Sequence, residues 1–262
     1  MASPPGAARF RSSLRRRFRS SRHRLPNTLA STPTKGISVS LEIPRPKYIS
    51  FDIIGTLIYF EMRKTVEPMI ADRLDGEQLE AFFSKFSLDR YDEIMEYRPY
   101  DQILERSFRR TAARFGLEIT DEQVATVQQD VLSWGAHPDV LEPLAKMADH
   151  FPLVGLSNAD DRHLNAFIPR LGAPFHAVIT AEQTGAYKPR FQAFEHMLAE
   201  LDAQPEDFLH ISSHHLYDHV PMELLGFHNK VYLDRGYDID IPEYGAQRVT
   251  SLDEVNEALG IK

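Results

Sequence analysis

The chain has 262 residues, 42% of them hydrophobic and 26% charged, which is ordinary for a globular protein with a sizeable core. It contains no cysteine, which excludes disulfides, thiolate metal sites and a cysteine nucleophile. The net charge of −8 is uneven: ten basic residues and one acid give residues 1–46 a charge of +9, which leaves −17 for the remainder.

Residues 1–46 form a basic extension that differs from the rest of the chain. Eight arginines between Arg9 and Arg24 are interleaved with serines, and the first acid is Glu42. This composition is typical of an organellar transit peptide, and equally of a disordered basic tail or an over-extended reading frame. We expect the segment to lie outside the fold. We expect a cytoplasmic protein, or a mitochondrial one if the source is eukaryotic and the segment is a transit peptide.

The acidic remainder bears on the class of partner. Phosphate contacts need clustered Lys and Arg, so residues 47–262 are poorly suited to nucleic acid. No apolar run approaches the roughly 20 residues that cross a bilayer. We therefore expect a small-molecule partner, with neither nucleic acid nor a membrane.

The first predicted element is a strand, Tyr48–Ile54, which carries a single carboxylate near its end. Asp52 precedes a tight turn at Gly55 and Thr56, so its side chain is expected to project from a buried strand. A carboxylate in that position is a natural nucleophile. Two positions later stands Ile54, where a second acid would have served phosphoryl chemistry.

A helical block follows the first strand. Apolar residues spaced three and four apart predict helices around residues 79–86 and 103–112. A third helix is predicted from Thr120 to Trp134, because Thr120 and Gln123 form a capping-box pattern. We interpret residues 62–137 as a helical cap inserted after the first strand.

Four more short apolar runs, separated by helix-length segments, predict the strands Leu153–Leu156, Ala177–Thr180, Phe208–Ser212 and Lys230–Leu233. Strands that alternate with helices indicate an α/β fold with a doubly wound, Rossmann-like parallel sheet. We assign residues 47–61 and 138–262 to this core.

Ligands of such sheets bind beyond the carboxyl ends of the strands. Polar groups stand at or just after four of these ends: Asp52, Ser157 with Asn158, Lys188, and Ser212 with Ser213 and Asp218. We expect them to converge on one site.

These segments resemble the four motifs of the haloacid dehalogenase superfamily, in order and spacing, over about residues 47–262. The motifs are Asp52-x-x-Gly55-Thr56-Leu57, Leu156-Ser157-Asn158, Lys188-Pro189 and Ser212-Ser213 with Asp218. Ile54 in place of a second acid, together with Ser157-Asn158, is similar to the type II 2-haloacid dehalogenase branch. The resemblance implies hydrolysis of short 2-haloalkanoic acids to 2-hydroxy acids through an ester on Asp52, with no metal or organic cofactor. Dehalogenases of this type are commonly homodimers, so the resemblance also implies a possible homodimer.

The resemblance also implies residue roles. Asp52 is the nucleophile, Lys188 keeps it ionised, and Thr56 orients it or holds the ester oxygen. Asp218 positions Lys188 and the hydrolytic water. Substrate binding falls to five residues: Ser157, Asn158, Ser213, His214 and Lys85. Ser157 and Asn158 are also good caps for the next helix.

The chain departs from the dehalogenase pattern at four positions: Ile54 replaces an aromatic residue, Lys85, with Arg90 close by, stands where the family has a cap arginine, Phe194 replaces a tyrosine and His214 an asparagine. Because these departures touch the pocket, two alternatives stay open. One is a magnesium-dependent phosphatase of a small metabolite, with a weak site at Asp52, the Ile54 carbonyl and Asp218. The other is a non-catalytic binding module.

Histidines at 210, 214, 215 and 219 cluster near the fourth strand end. Adjacent histidines point in different directions, so we predict pocket or surface roles for them rather than a metal site.

Overall fold

The computed structural model describes residue 41 and residues 43–262, so the predictions for most of the basic extension lie outside the described residues. Six strands are present in this part of the chain: β1 Tyr48–Phe51, β2 Leu153–Ser157, β3 Ala177–Thr180, β4 Phe208–Ser212, β5 Lys230–Leu233 and β6 Gln247–Val249. Five α-helices lie between β1 and β2, and we call the first four the cap: α1 Met62–Val66, α2 Gly76–Glu93, α3 Tyr100–Arg114 and α4 Asp121–Val131. The other helices are α5 Leu141–Ala148, α6 Asp161–Phe167, α7 Ala181–Thr184, α8 Phe191–Glu200, α9 Val220–Leu224 and α10 Leu252–Ala258.

All six strands are parallel, in the order β3-β2-β1-β4-β5-β6. β1 lies in the middle, where Ile49 pairs with Leu153 of β2 on one side and Leu209 of β4 on the other. All four residues of β1 are buried, because helices cover both faces of a parallel sheet. The chain leaves β1 toward β3 and later crosses back to β4, so the strand order reverses beside β1.

The predicted α/β fold is confirmed, with three differences in its strands. β2 extends one residue further than predicted, to Ser157. β1 ends at Phe51 rather than Ile54, and the turn follows at residues 55–57, across which Ile54 forms a bridge with Ile58. The sequence reading missed β6, a three-residue edge strand that contains Gln247 and Arg248 and so lacks an apolar run.

Alternate residues of the strands supply two apolar layers, as the two-residue period of a strand requires. Tyr48 and Phe208 face a layer completed by Phe194 of α8 and Met222 of α9. Ile49, Phe51 and Ile211 belong to the opposite layer, which includes α5, α6 and α10 and continues into the cap.

The cap contains a group of packed aromatic rings and has two connections to the sheet domain. Phe82 and Phe86 of α2 pack against Phe108 of α3, with ring centroids 6.4 and 5.7 Å apart. The two connections run side by side, because Tyr59 N donates to Gly135 O at 2.9 Å and Ile58 bridges Ala136.

The predicted capping box at Thr120 is present, with Gln123 as its partner. Among the described residues, no helix combines the length and the apolar character needed to span a bilayer.

Candidate active site

Three charged side chains meet at the carboxyl ends of β1 and β4. Lys188, in the loop between α7 and α8, donates from Nζ to Asp52 Oδ1 at 2.9 Å and to Asp218 Oδ1 at 2.8 Å. A third hydrogen bond from Nζ reaches Leu156 O at 2.8 Å, so all three ammonium protons are used. Asp52 is 4% exposed and Lys188 1%, and the triad is therefore a buried unit with a net charge of −1.

Lys188 is held from its backbone as well. Asn158 accepts from Lys188 N at 2.7 Å through Oδ1 and donates to Lys188 O at 2.9 Å through Nδ2. These two hydrogen bonds join the end of β2 to the loop after α7. Burial alone would lower the pKa of Lys188, but Asp218 and Asp52 outweigh it and raise that pKa above its ordinary value. Lys188 is therefore a permanent cation at neutral pH.

Thr56 holds the other oxygen of the nucleophile candidate. Its Oγ1 donates to Asp52 Oδ2 at 2.8 Å and accepts from Ser213 N at 2.9 Å. The Ser213 hydroxyl donates to Leu233 O at 2.7 Å, which ties the end of β4 to β5. The structure thus brings Ser213 to the site as a backbone donor, while its side chain makes a structural contact.

Asp218 lies behind this pair on a π-helical turn, residues His215–His219. Ser212 Oγ donates to its Oδ2 at 3.0 Å, and His210 Nε2 lies 3.2 Å from its Oδ1. Burial would raise the pKa of Asp218, but the Lys188 ammonium and the His210 contact hold that pKa well below its usual range. Asp218 is fully buried and does not line the cavity described below, so it contacts Asp52 through Lys188.

The His214 side chain packs against Gly55 in the loop that follows Asp52. Its Nε2 lies only 2.7 Å from the point where a Cβ at residue 55 would stand, and Gly55 also has φ of +91°. Glycine is therefore required there for two reasons. His214 Nδ1 lies 3.8 Å from Asp238 Oδ2, and its ring stacks on Tyr237 at 5.7 Å.

The same neighbours set the ionisation of His214. Burial would lower the pKa of this imidazole, but Asp238 and then Asp52 outweigh it and raise that pKa above its ordinary value.

A cavity of about 430 Å³ lies between these groups and the cap. Its polar lining consists of Asp52, Ser87, Arg90, Asn158, Lys188, His214 and Asp238, and its remaining walls are aliphatic or aromatic. The cap therefore closes over the strand ends and supplies half of the ten aliphatic or aromatic lining residues, namely Leu88, Tyr91, Ile94, Tyr100 and Ile103.

Arg90 of α2 is the cap cation that faces this cavity. Its guanidinium lies over the rings of Phe60 and Phe86, at 4.6 and 5.0 Å. Its Nε has no hydrogen-bond partner within residues 43–262. Burial lowers the pKa of Arg90, and the groups that oppose this lowering are the Tyr100 and Tyr217 side chains rather than carboxylates.

Three predicted substrate-binding residues do not line the cavity: Lys85, Ser157 and Ser213, whose hydroxyl contacts Leu233 O. Lys85 points its ammonium at Asp89 on the same helix, where Thr111 Oγ1 also donates at 2.8 Å. Ser157 is buried at the end of β2, does not line the cavity, and its hydroxyl has no partner among the described residues. Asn158 does line the cavity, but its side chain holds Lys188.

The sequence analysis missed Asp238 and Tyr237, which reach the site from the loop after β5. A polar, glycine-containing run, residues 234–238, follows that strand, so the strand-end rule could have found them. The remaining clustered histidines, His215 and His219, pair with each other at 3.1 Å behind the site. Within the described part of the chain, no group of three or more His, Asp or Glu is arranged to hold a metal ion.

Comparison with known proteins gives a family and a set of similar folds. Residues 46–215 match the family model described as haloacid dehalogenase-like hydrolase. No curated protein matches the chain.

Three solved structures illustrate the likeness of fold. A dehalogenase solved with an intermediate complex is 20% identical, with a TM-score of 0.69, over 83% of this chain and 98% of its own. An L-2-haloacid dehalogenase from Xanthobacter autotrophicus with chloropropionic acid covalently bound is 17% identical, with a TM-score of 0.66, over 82% and 99%. A putative HAD-hydrolase, YfnB from Bacillus subtilis, bound to magnesium, is 15% identical, with a TM-score of 0.69, over 83% and 100%.

Proposed function

This chain belongs to the haloacid dehalogenase-like hydrolases, and on that premise we propose that it hydrolyses the carbon–halogen bond of 2-haloalkanoic acids to give 2-hydroxy acids. One observation carries the proposal. Asp52 lines the cavity with Lys188 and Thr56 on its two oxygens, and the side chain two residues later is Ile54 rather than a second acid.

The first step is a displacement at carbon. A carboxylate oxygen of Asp52 attacks the halogen-bearing carbon, a C–O bond forms, and the C–halogen bond breaks with its electron pair leaving on the halide. The Lys188 ammonium donates to Asp52 Oδ1 at 2.9 Å and so holds the carboxylate in place for this attack. Arg90 is the cavity cation without a carboxylate partner, so we assign it to the anionic end of the substrate and to the departing halide.

The second step is hydrolysis of the ester. Water attacks Asp52 Cγ, and negative charge develops on the oxygen that is not esterified. Lys188 or Thr56 already donates to that oxygen, so its charge is stabilised without rearrangement. Collapse releases the 2-hydroxy acid and leaves one oxygen of the water in the regenerated Asp52 carboxylate.

The hydrolytic water needs a proton acceptor that faces the cavity. Lys188 is protonated and Asp218 lies behind it, whereas His214 lines the cavity beside Asp238. While Asp52 is ionised it helps to keep His214 protonated. Esterification removes that negative charge, which lowers the proton affinity of His214 when a base is needed. We assign one water proton to His214, which returns it to the substrate oxygen as the Cγ–O ester bond breaks. The second water proton is released when the regenerated Asp52 carboxyl ionises.

The donor set fits a magnesium ion poorly. All four oxygens of Asp52 and Asp218 accept hydrogen bonds from Lys188, Thr56 or Ser212. The ammonium lies between the two acids, where a bridging cation would bind, and Mg²⁺ needs several oxygen ligands in a near-octahedral arrangement. The proposed mechanism therefore uses no metal ion in either step.

The test compares two substrates. Purified protein is incubated with 2-chloropropionate or p-nitrophenyl phosphate, each with Mg²⁺ or EDTA, and released halide and phosphate are measured. We expect EDTA-resistant halide release that is lost in Asp52→Asn and kept in Asp72→Asn, a matched change at an exposed cap carboxylate. Magnesium-dependent phosphate release without halide would overturn the proposal.

A labelling experiment tests the covalent route separately. A single turnover in ¹⁸O water should place the label in the peptide that contains Asp52, because water attacks Cγ of the ester. Label that appears in the product hydroxyl during the first turnover would mean direct attack of water on the substrate.

A further inference from the structure

The cavity is larger than a short haloacid needs. A 2-halopropionate has six non-hydrogen atoms, which at the liquid volume of a water molecule, about 30 Å³ each, take roughly 180 Å³. The cavity measures about 430 Å³, so more than half of it would stay empty. A six-membered ring added to the same acid would bring the ligand to roughly 360 Å³ on the same scale.

The surplus space is apolar and aromatic. Ten of the seventeen residues that line the cavity are aliphatic or aromatic, and five of these carry rings: Phe60, Tyr91, Tyr100, Tyr217 and Tyr237. Two of the rings, Tyr91 and Tyr217, lie 5.6 Å apart at an interplanar angle of 43°. Aromatic walls of this kind accept a ring in offset or edge-to-face contact.

Apolar side chains also lie exposed at the cavity. Leu88 of α2 is 63% exposed and Leu216 is 50% exposed, and both line it. Large aliphatic side chains at a ligand site favour an apolar ligand, because a small polar acid gains nothing from them.

The polar groups fix how such a ligand would lie. Asp52 marks the position of the reacting carbon, and Arg90 is the cation free to meet the anionic end. Burial raises the pKa of Tyr217 to about 12, so its hydroxyl remains a neutral donor near that cation. The third substituent on the reacting carbon is left to face the aromatic wall.

We propose that the preferred substrate is a 2-haloacid whose reacting carbon carries an aromatic ring, or an aliphatic group of similar size, directly or through one methylene. This inference rests on the proposed dehalogenation. It adds that the large apolar substituent, rather than the acid end alone, supplies the selectivity.

The kinetic test uses 2-bromopropionate and 2-bromo-3-phenylpropionate, each as separate enantiomers, and follows bromide release. Burial of the ring should raise kcat/KM about 10- to 100-fold for the larger acid. Equal values, or a preference for the smaller acid, would overturn the inference and leave the dehalogenation intact. Absence of bromide from both acids would overturn the dehalogenation itself.

A binding measurement separates the two failures further. Calorimetry with 3-phenylpropionate and propionate, which carry no halogen, reports on the cavity without any chemistry. We expect the phenyl acid to bind at least tenfold more tightly. Equal affinities would contradict an aromatic substituent whatever the kinetics show.

Two matched variants locate the effect. Leu216→Trp fills space at the cavity and should lower the kcat/KM ratio of the larger to the smaller acid at least fivefold. Leu224→Trp makes the same change at a leucine that is 72% exposed and outside the cavity, so the ratio should not move. Leu88→Trp repeats the test from the cap, and an unchanged ratio in both cavity variants would overturn the inference.

Discussion

Removal of the Lys188 ammonium is the sharpest test of the buried triad. Lys188→Met keeps the length of the side chain but leaves Asp52 and Asp218 as buried anions without a cation. Each N–O contact is close to 2.9 Å, and at an effective dielectric constant of 20 each attraction is about 6 kcal/mol before desolvation is deducted. Breaking a buried pair by removing one partner destabilises by about 3–5 kcal/mol, so we expect a loss in that range.

Thermal unfolding measures this loss. For a domain of this size about 1 kcal/mol corresponds to roughly 2–4 °C, so Tm should fall by roughly 6–20 °C at neutral pH. Lys230→Met is the matched control, because Lys230 is equally buried but its partner Glu223 is 40% exposed and can be rehydrated. Its loss should be less than half as large. Adding Asp218→Asn to Lys188→Met should restore part of the stability.

The pH dependence has a definite sign. In the native protein the depressed pKa of Asp218 contributes stability that is present above about pH 3.9 and is lost as the pH falls toward the native pKa. The raised pKa of Lys188 contributes stability that is present below about pH 10.4 and is lost as the pH rises through the native value.

Without Lys188, burial, the largest influence on the pKa of Asp218, raises that pKa against the His210 contact, so the folded variant should take up a proton more readily than the wild type. The stability gap between wild type and variant should therefore narrow between pH 8 and pH 5. A loss equal to that of Lys230→Met, with no narrowing in acid, would refute the charged triad.

Three further variants probe the cavity. Arg90→Met removes an unpaired cation from apolar surroundings, so Tm should rise by a few degrees. Halide release should fall at least 100-fold. A lower Tm would contradict the conclusion that the Arg90 charge is unpaired. His214→Asn should lower kcat by roughly 10²–10⁴-fold and remove the acid limb of the kcat–pH profile. The Asp52 ester should then accumulate and be detectable by mass spectrometry of quenched samples. Failure to detect the ester would argue against His214 as the base. Thr56→Val leaves Ser213 N–H buried without an acceptor and should destabilise by about 1–3 kcal/mol, whereas Thr56→Ser should retain wild-type stability within about 1 kcal/mol.

The sheet and its strand ends were accessible from local pattern. The runs that became β2 to β5 are short, apolar and bounded by helix-length segments, and parallel strands covered on both faces require such runs. Asp52 and Ser212 stand at strand ends, so their convergence follows from the geometry of parallel strands. β6 was not predicted, because an edge strand of three residues with Arg248 at its centre needs no apolar run.

The cap shows where the sequence stops being informative. Helix α2 was predicted from its spacing, but the family resemblance indicated Lys85 as the cap cation, with Arg90 close by, and in the structure Arg90 lines the cavity and Lys85 does not. Five residues at about 100° each turn a helix by roughly 140° beyond a full turn, so the two side chains lie on different faces. Which face meets the cavity depends on how α2 packs against α3 and the sheet, a long-range contact that no local pattern encodes.

The sequence by itself determined the α/β fold, the carboxylate at the end of β1, and the lysine and acid expected beside it, because each depends on residues adjacent in the chain. Only the tertiary structure decided that Lys188 bridges Asp52 and Asp218, that Ser157 stays buried away from the cavity, and that Arg90, Asp238 and five aromatic rings surround the reacting position. Cavity size and charge pairing are sums over side chains far apart in sequence, so they exist only once the cap has packed on the strand ends.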